Sequence, residues 1–289
     1  MVAQSTRYAG TDTTHMAAPN IWTHRLLGVL GVVGVLTVMQ LLVAGGAVSG
    51  SAMPTATDMI ASVANLLVSR TFVLAVLDTI RSALIAFVVC MALAVPLGLL
   101  IGSNRHVEQA TELTSQILRP IPAVAMLPIA ILIFGIGTQM KVVLAAYAAF
   151  WPLLINTVQG VKATDKIMIS AGKSFAWSPA RIMWSIRLPY ALPFIGTGMR
   201  LSVSLSLVIS ITAELLGAKS GIGQVVRAYS AAGRVDYVYA GIVISATLGL
   251  LLNVAVERLE RRLMAWAPQY RTDSRSKLRP STEEKRAVA

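Results

Sequence analysis

The chain has 289 residues, of which 55% are hydrophobic and 13% charged, with a net charge of +12 and a mean hydropathy of +0.69. Soluble domains carry about 25% charged residues, so an ordinary water-soluble fold is excluded and an all-α polytopic membrane protein is expected. The lone cysteine, Cys90, lies in an apolar run and reads as a small buried hydrophobe; His15, His24 and His106 fall in separate polar segments without ligand spacing, so no disulfide framework or metal site is expected.

Uncharged runs near the roughly 20 residues that cross a bilayer place the spans. Residues 1–25 read as a polar tail, and the first span covers Leu26 to Val48. Small residues from Ala44 to Ala52 raise the alternative of a cleaved signal peptide, but this run exceeds the roughly 7–15 residues of a signal core, favouring a retained anchor. Asp78 and Arg81, three residues apart, are expected to form a local ion pair before the second span, Ser82 to Ile101. The third span, Pro120 to Met140, contains Pro120, Pro122 and Pro128 and should be kinked, either lining a pathway or as a packed structural kink, with a tight turn from Gly135 to Met140.

In the fourth span, Val142 to Val161, Ala145, Ala146, Ala148 and Ala149 permit close helix approach. A polar, basic segment, Lys162 to Arg187, follows. The fifth long apolar run, Leu192 to Leu216, holds Arg200 and Glu214, which at 14 residues apart stand about 21 Å from each other along a helix and cannot pair. Arg200 is expected to snorkel toward the inner surface, and Glu214 to make a hydrogen bond within the protein or a docking contact at the outer mouth. The last span is Val238 to Val256; a six-helix domain therefore covers 26–266, and 267–289 is a basic tail.

Lysine and arginine are enriched in cytoplasmic loops. With the N-terminus inside, 18 of the 25 basic residues fall on the inner side, including Lys162, Lys166, Lys173, Arg181, Arg187 and the tail. The outer loops retain Arg70, Lys141, Lys219, Arg227 and Arg234. Both termini are thus expected to be cytoplasmic, and attraction to the anionic inner leaflet of the lipid bilayer accounts for the net charge without nucleic acid.

The basic segment has a pattern of its own: Ser170-Ala171-Gly172, then Phe175-Ala176, and after nine further residues Ile186, Leu188 and Pro189. Its spacing resembles the loop by which permease subunits of ATP-binding-cassette importers dock onto their ATPase, although that family usually has Glu-Ala-Ala at the start and Gly where Ala176 stands. Leu118-Arg119-Pro120-Ile121-Pro122, Leu127-Pro128-Ile129-Ala130, Phe134-Gly135-Ile136-Gly137, Gly198-Met199-Arg200 and Ala213-Glu214-Leu215-Leu216-Gly217-Ala218 are similar, in order and spacing, to permeases of the nitrate, sulfonate and taurine importers. This resemblance implies a type I importer permease fold in the inner membrane and no catalytic site on this chain. It further implies two ATPase copies that bind ATP and Mg, a second permease copy forming a homodimer, and an extracytoplasmic solute-binding protein. By the same resemblance, the solute is a small anion such as a sulfonate, nitrate or organic acid.

Two nucleotide-site decoys fail. Gly172-Lys173-Ser174 lacks the earlier glycine of a phosphate-binding loop, because position 167 is isoleucine, and Gly196-Thr197-Gly198 lacks the third glycine of a dinucleotide fingerprint, because position 201 is leucine. An ion-coupled secondary transporter is the alternative reading, but the intramembrane charges are scattered in sequence and offer poor material for a relay. A membrane enzyme would need convergent catalytic groups, which the sequence does not display.

Overall fold

The computed structural model describes residues 21–263; the outermost parts of both tails lie outside them. The chain divides into two compact units between residues 58 and 59. The first contains the apolar helix α1 (Ile21–Ala44), whose Leu27, Val35 and Leu41 side chains stay exposed, the pattern of a helix meant for lipid rather than water.

The second unit is helical throughout. After α2 (Ala56–Val68) comes α3 (Arg70–Ser103), then α4 (Arg105–Leu118), a short 3-10 turn (Ala123–Met126) and α5 (Leu127–Phe134). Helix α6 (Thr138–Lys162) leads into α7 (Lys166–Ser174) and α8 (Pro179–Ile182). A wider π-type turn (Met183–Arg187) continues into α9 (Leu188–Leu216), followed by α10 (Ile222–Ala231) and α11 (Val235–Leu263).

Among the described residues, five helices are long and apolar enough to cross a membrane, and α4 with the segment 123–134 forms a sixth candidate bent by 79°. The third span therefore differs from the expected continuous run over Pro120 to Met140. The bend falls at Pro120 and Pro122, whose rings remove two backbone donors. Gly135, at φ +70°, closes α5, and α6 begins at Thr138, so the expected turn is confined to three residues. Helix α3 starts twelve residues before the expected span because counting uncharged residues stops at Arg81, whereas the helix continues through it.

The core lies where α3, α6 and α9 meet. Cys90 and Ala94 on α3, Ala149 and Leu153 on α6, and Ala191 and Ile195 on α9 form one buried cluster. Small residues make the approach close: a methyl group added at Gly98 would lie 2.6 Å from Thr157 Cβ, and at Gly160 it would lie 2.8 Å from Phe194 Cβ. Ala145 and Ala149 are fully buried as expected for packing positions, while large apolar side chains such as Leu93, Leu132 and Leu250 face outward. Ser202 donates to the carbonyl of Ala149 at 2.6 Å, a polar tie between α9 and α6 inside this core.

Candidate functional site

The segment between α6 and α9 is a folded knob with an internal core. Asp165 caps α7 by accepting from the Ile167 N–H at 2.8 Å, and Ser178 caps α8 by accepting from the Arg181 N–H at 3.3 Å, with Pro179 at the first helical position. Helix α7 closes with paired bonds, Trp177 N–H to Gly172 O at 3.0 Å and Ala176 N–H to Lys173 O at 2.9 Å. That is a Schellman closure, which requires a left-handed residue at Ala176, and Ala176 indeed has φ +54°. Glycine would hold this conformation without the Cβ penalty.

Gly172 is buried against Ile186 and Ile182, where an added methyl group would sit 3.2 and 3.4 Å from their side-chain carbons. Ile182 therefore faces inward, because the turn at Ala176 folds α8 back onto α7. The outer face instead presents Ile167, Phe175 and Trp184, which are 76%, 76% and 66% exposed, beside Met168. Ser170 and Ala171 are also on the surface, whereas Leu188 and Pro189 are half-buried at the entry to α9. Arg181 stacks 4.4 Å above the Trp177 ring, Arg187 donates to Ser103 O at 3.2 Å, and Lys162 pairs with Glu108. The last two ties fix the knob and the end of α6 to α3 and α4.

A second constellation joins α3, α6 and α9. Lys141, expected in an outer loop, stands in the first turn of α6 with no exposed surface. Its ammonium donates to Asp78 Oδ2 at 2.7 Å, Glu214 Oε1 at 3.0 Å and Ser220 O at 3.3 Å. Glu214, also without exposed surface, accepts in addition from Thr79 Oγ1 at 2.9 Å and from the Gly223 N–H at 3.1 Å. Thr79 in turn accepts from the Ile222 N–H at 2.9 Å, so the carboxylate pins the start of α10. Gly221, at φ +107°, makes room: a methyl group there would lie 2.0 Å from the Glu214 carboxyl carbon.

This cluster corrects two expectations. Asp78 pairs with Lys141 and with the Ser220 hydroxyl at 2.7 Å rather than with Arg81, which is exposed and outside salt-bridge reach. The intramembrane charges, far apart in sequence, converge in space. Arg200, expected to snorkel, reaches Glu260 on α11 at 3.1 Å, in a notch where Gly196 leaves space for the carboxylate. Sequence reasoning missed Lys141 and Thr79 as partners of Glu214. The available signal was a lysine three residues into a helix whose only other charge is Lys162 at its far end, because such a charge needs compensation.

Pro120 and Pro122 stand exposed at the bend and Pro128 lies in the first turn of α5, so the prolines shape this corner without touching either constellation. No catalytic constellation is assembled among the described residues, and Cys90 is buried in the core. Both constellations are structural ties and an exposed apolar knob rather than reactive groups.

A family profile described as binding-protein-dependent transport system inner membrane component matches residues 94–265. The putative aliphatic sulfonates transport permease protein SsuC of Bacillus subtilis is 29% identical over 236 residues, covering 82% of this chain and 86% of that protein. The taurine transport system permease protein TauC of Escherichia coli is 32% identical over 183 residues, covering 63% and 66%. A solved chain of the MetNI methionine ABC transporter, in an inward-facing conformation, superposes with a TM-score of 0.59 at 21% identity, covering 66% of this chain and 95% of that one. With more than half of its length matched to the family, and with the same helical architecture as a solved importer, the chain belongs to the inner membrane components of binding-protein-dependent transport systems: it is a permease subunit of an ABC importer, without an ATPase of its own.

Proposed function

We propose that this permease imports a small organic anion of the sulfonate class, as a homodimer served by two ATPase subunits that dock on residues 162–187. The names of the SsuC and TauC relatives support the substrate class, since they are assigned to aliphatic sulfonates and taurine. The observation that carries the docking site is the knob itself. Ile167, Met168, Phe175 and Trp184 form an exposed apolar surface on an otherwise basic segment, held rigid by capped helices and an inner core of Gly172, Ile182 and Ile186. A preorganised apolar projection suits insertion into a cleft on a partner, because little ordering entropy is lost on binding. The excess of lysine and arginine on this side supports a cytoplasmic knob and cytoplasmic termini, with the binding protein received at the opposite face.

The test is copurification of the cognate ATPase in mild detergent with wild type, Phe175→Ala and Phe175→Asp. Phe175 is exposed and holds nothing together inside the knob, so membrane abundance should stay normal. An interface anchor truncated to alanine costs about 2 kcal/mol or more, so ATPase recovery should fall at least roughly 10-fold, and further with aspartate. Unchanged recovery at equal abundance rejects both the docking surface and the orientation built on it.

A further inference from the structure

Helix α4 has two unlike faces and no buried residue. Glu108, Thr111, Glu112, Ser115, Gln116 and Arg119 fall within an arc of about 140°, and all six line a cavity of about 290 Å³ whose opposite wall is α6 between Trp151 and Lys162. The other side of α4 holds Ala110, Leu113 and Ile117, all exposed and turned away from that cavity.

Two ties set the depth at which this helix lies. Lys162 pairs with Glu108 near one end, and the Tyr147 hydroxyl donates to Leu118 O at 2.6 Å at the other. The stretch of α6 from Tyr147 to Lys162 is about 22 Å long. Since α6 is one of the membrane-crossing helices, α4 runs beside it for most of the roughly 30 Å of a hydrocarbon core. A polar face over that depth cannot be turned to lipid. Glu112 makes the point most sharply: among the described residues it accepts only from Gln116 Nε2, at 3.3 Å, and has no ion pair, whereas Glu108 is neutralised by Lys162. A carboxylate with one neutral donor is compensated only where water reaches it, and the cavity beside it supplies the space.

We infer that the groove between α4 and α6 is a water-filled leg of the solute path, walled by the polar face of α4 and opening toward the knob, whose segment begins at Lys162. This rests on the importer reading above and assigns path residues to it. The broken third span thereby acquires a reason. Pro120 and Pro122 end α4 partway through the membrane, so its polar face extends only as far as the groove, and the apolar helix α5 takes over beyond the bend.

The experiment is cysteine labelling of the permease with its ATPase subunits in lipid nanodiscs, using the charged thiol reagent MTSET as the probe. Wild type sets the background, because its one cysteine, Cys90, is buried in the core. Thr111→Cys and Ser115→Cys should react at least about 10-fold faster than Leu113→Cys and Ile117→Cys, since the thiolate is the reactive form and apolar surroundings suppress it. The two polar-face rates should also differ several-fold between the nucleotide-free complex and one trapped with ATP and vanadate, because a transport path opens to one side at a time. With no buried residue on α4 to disturb, these variants should assemble, and either polar-face position decides the matter alone. Equal rates on the two faces, or polar-face rates indifferent to nucleotide, overturn the assignment. Failure of the wild-type ATPase to copurify would instead count against the importer reading.

Discussion

Replacing Lys141 with methionine tests whether the cluster of α3, α6 and α9 holds the helices together. Methionine keeps most of the volume and removes the charge, leaving Glu214 buried with only Thr79 and Gly223 as donors. At 3.0 Å and an effective dielectric of about 20, the lost Coulomb attraction to Glu214 is about 5 kcal/mol. Breaking one partner of a buried ion pair costs about 3–5 kcal/mol by mutational precedent, so the two estimates agree. Asp78 should contribute little to that loss, because its side chain is 25% exposed and keeps the Ser220 hydroxyl. Lys141→Met should therefore lose about 3–5 kcal/mol of stability by equilibrium unfolding in mixed micelles. Adding Glu214→Gln should restore most of the loss, since a neutral amide still accepts from Thr79 and Gly223, whereas adding Asp78→Asn should restore less than about 1 kcal/mol. A single mutant within about 1 kcal/mol of wild type, or equal rescue by the two second mutations, would refute the assignment of Glu214 as the charge that Lys141 neutralises.

Two further substitutions test backbone geometry. Gly221→Ala combines a left-handed φ of +107° with a methyl group 2.0 Å from the Glu214 carboxyl carbon, so it should displace that carboxylate and cost more than about 3 kcal/mol, read as loss of monodisperse protein on size exclusion; normal yield and melting contradict it. Ala176→Gly should do the reverse, relieving left-handed strain at φ +54° and stabilising the permease by roughly 0.5–1 kcal/mol, measured as a higher melting temperature with ATPase recovery retained; a lower melting temperature rules out the Schellman closure as the source of strain.

Much of the architecture follows from local chemistry. Apolar runs of bilayer length place most of the spans, and clustered prolines mark the third as broken, because both effects act within a few residues of the chain. The knob was legible as a segment from its basic, small-residue pattern, whereas the left-handed turn at Ala176 emerges only in the structure. Its outer face was not legible: Ile182 and Phe175 look alike in sequence, and only the fold-back at Ala176 turns one inward and the other outward. Charge partners were hidden for the same reason. Asp78, Lys141 and Glu214 lie on three helices distant in sequence, so the nearby Arg81 is the natural local guess for Asp78. Electrostatic energy depends on distance in space and on exclusion of water, and both are decided only when α3, α6 and α9 pack.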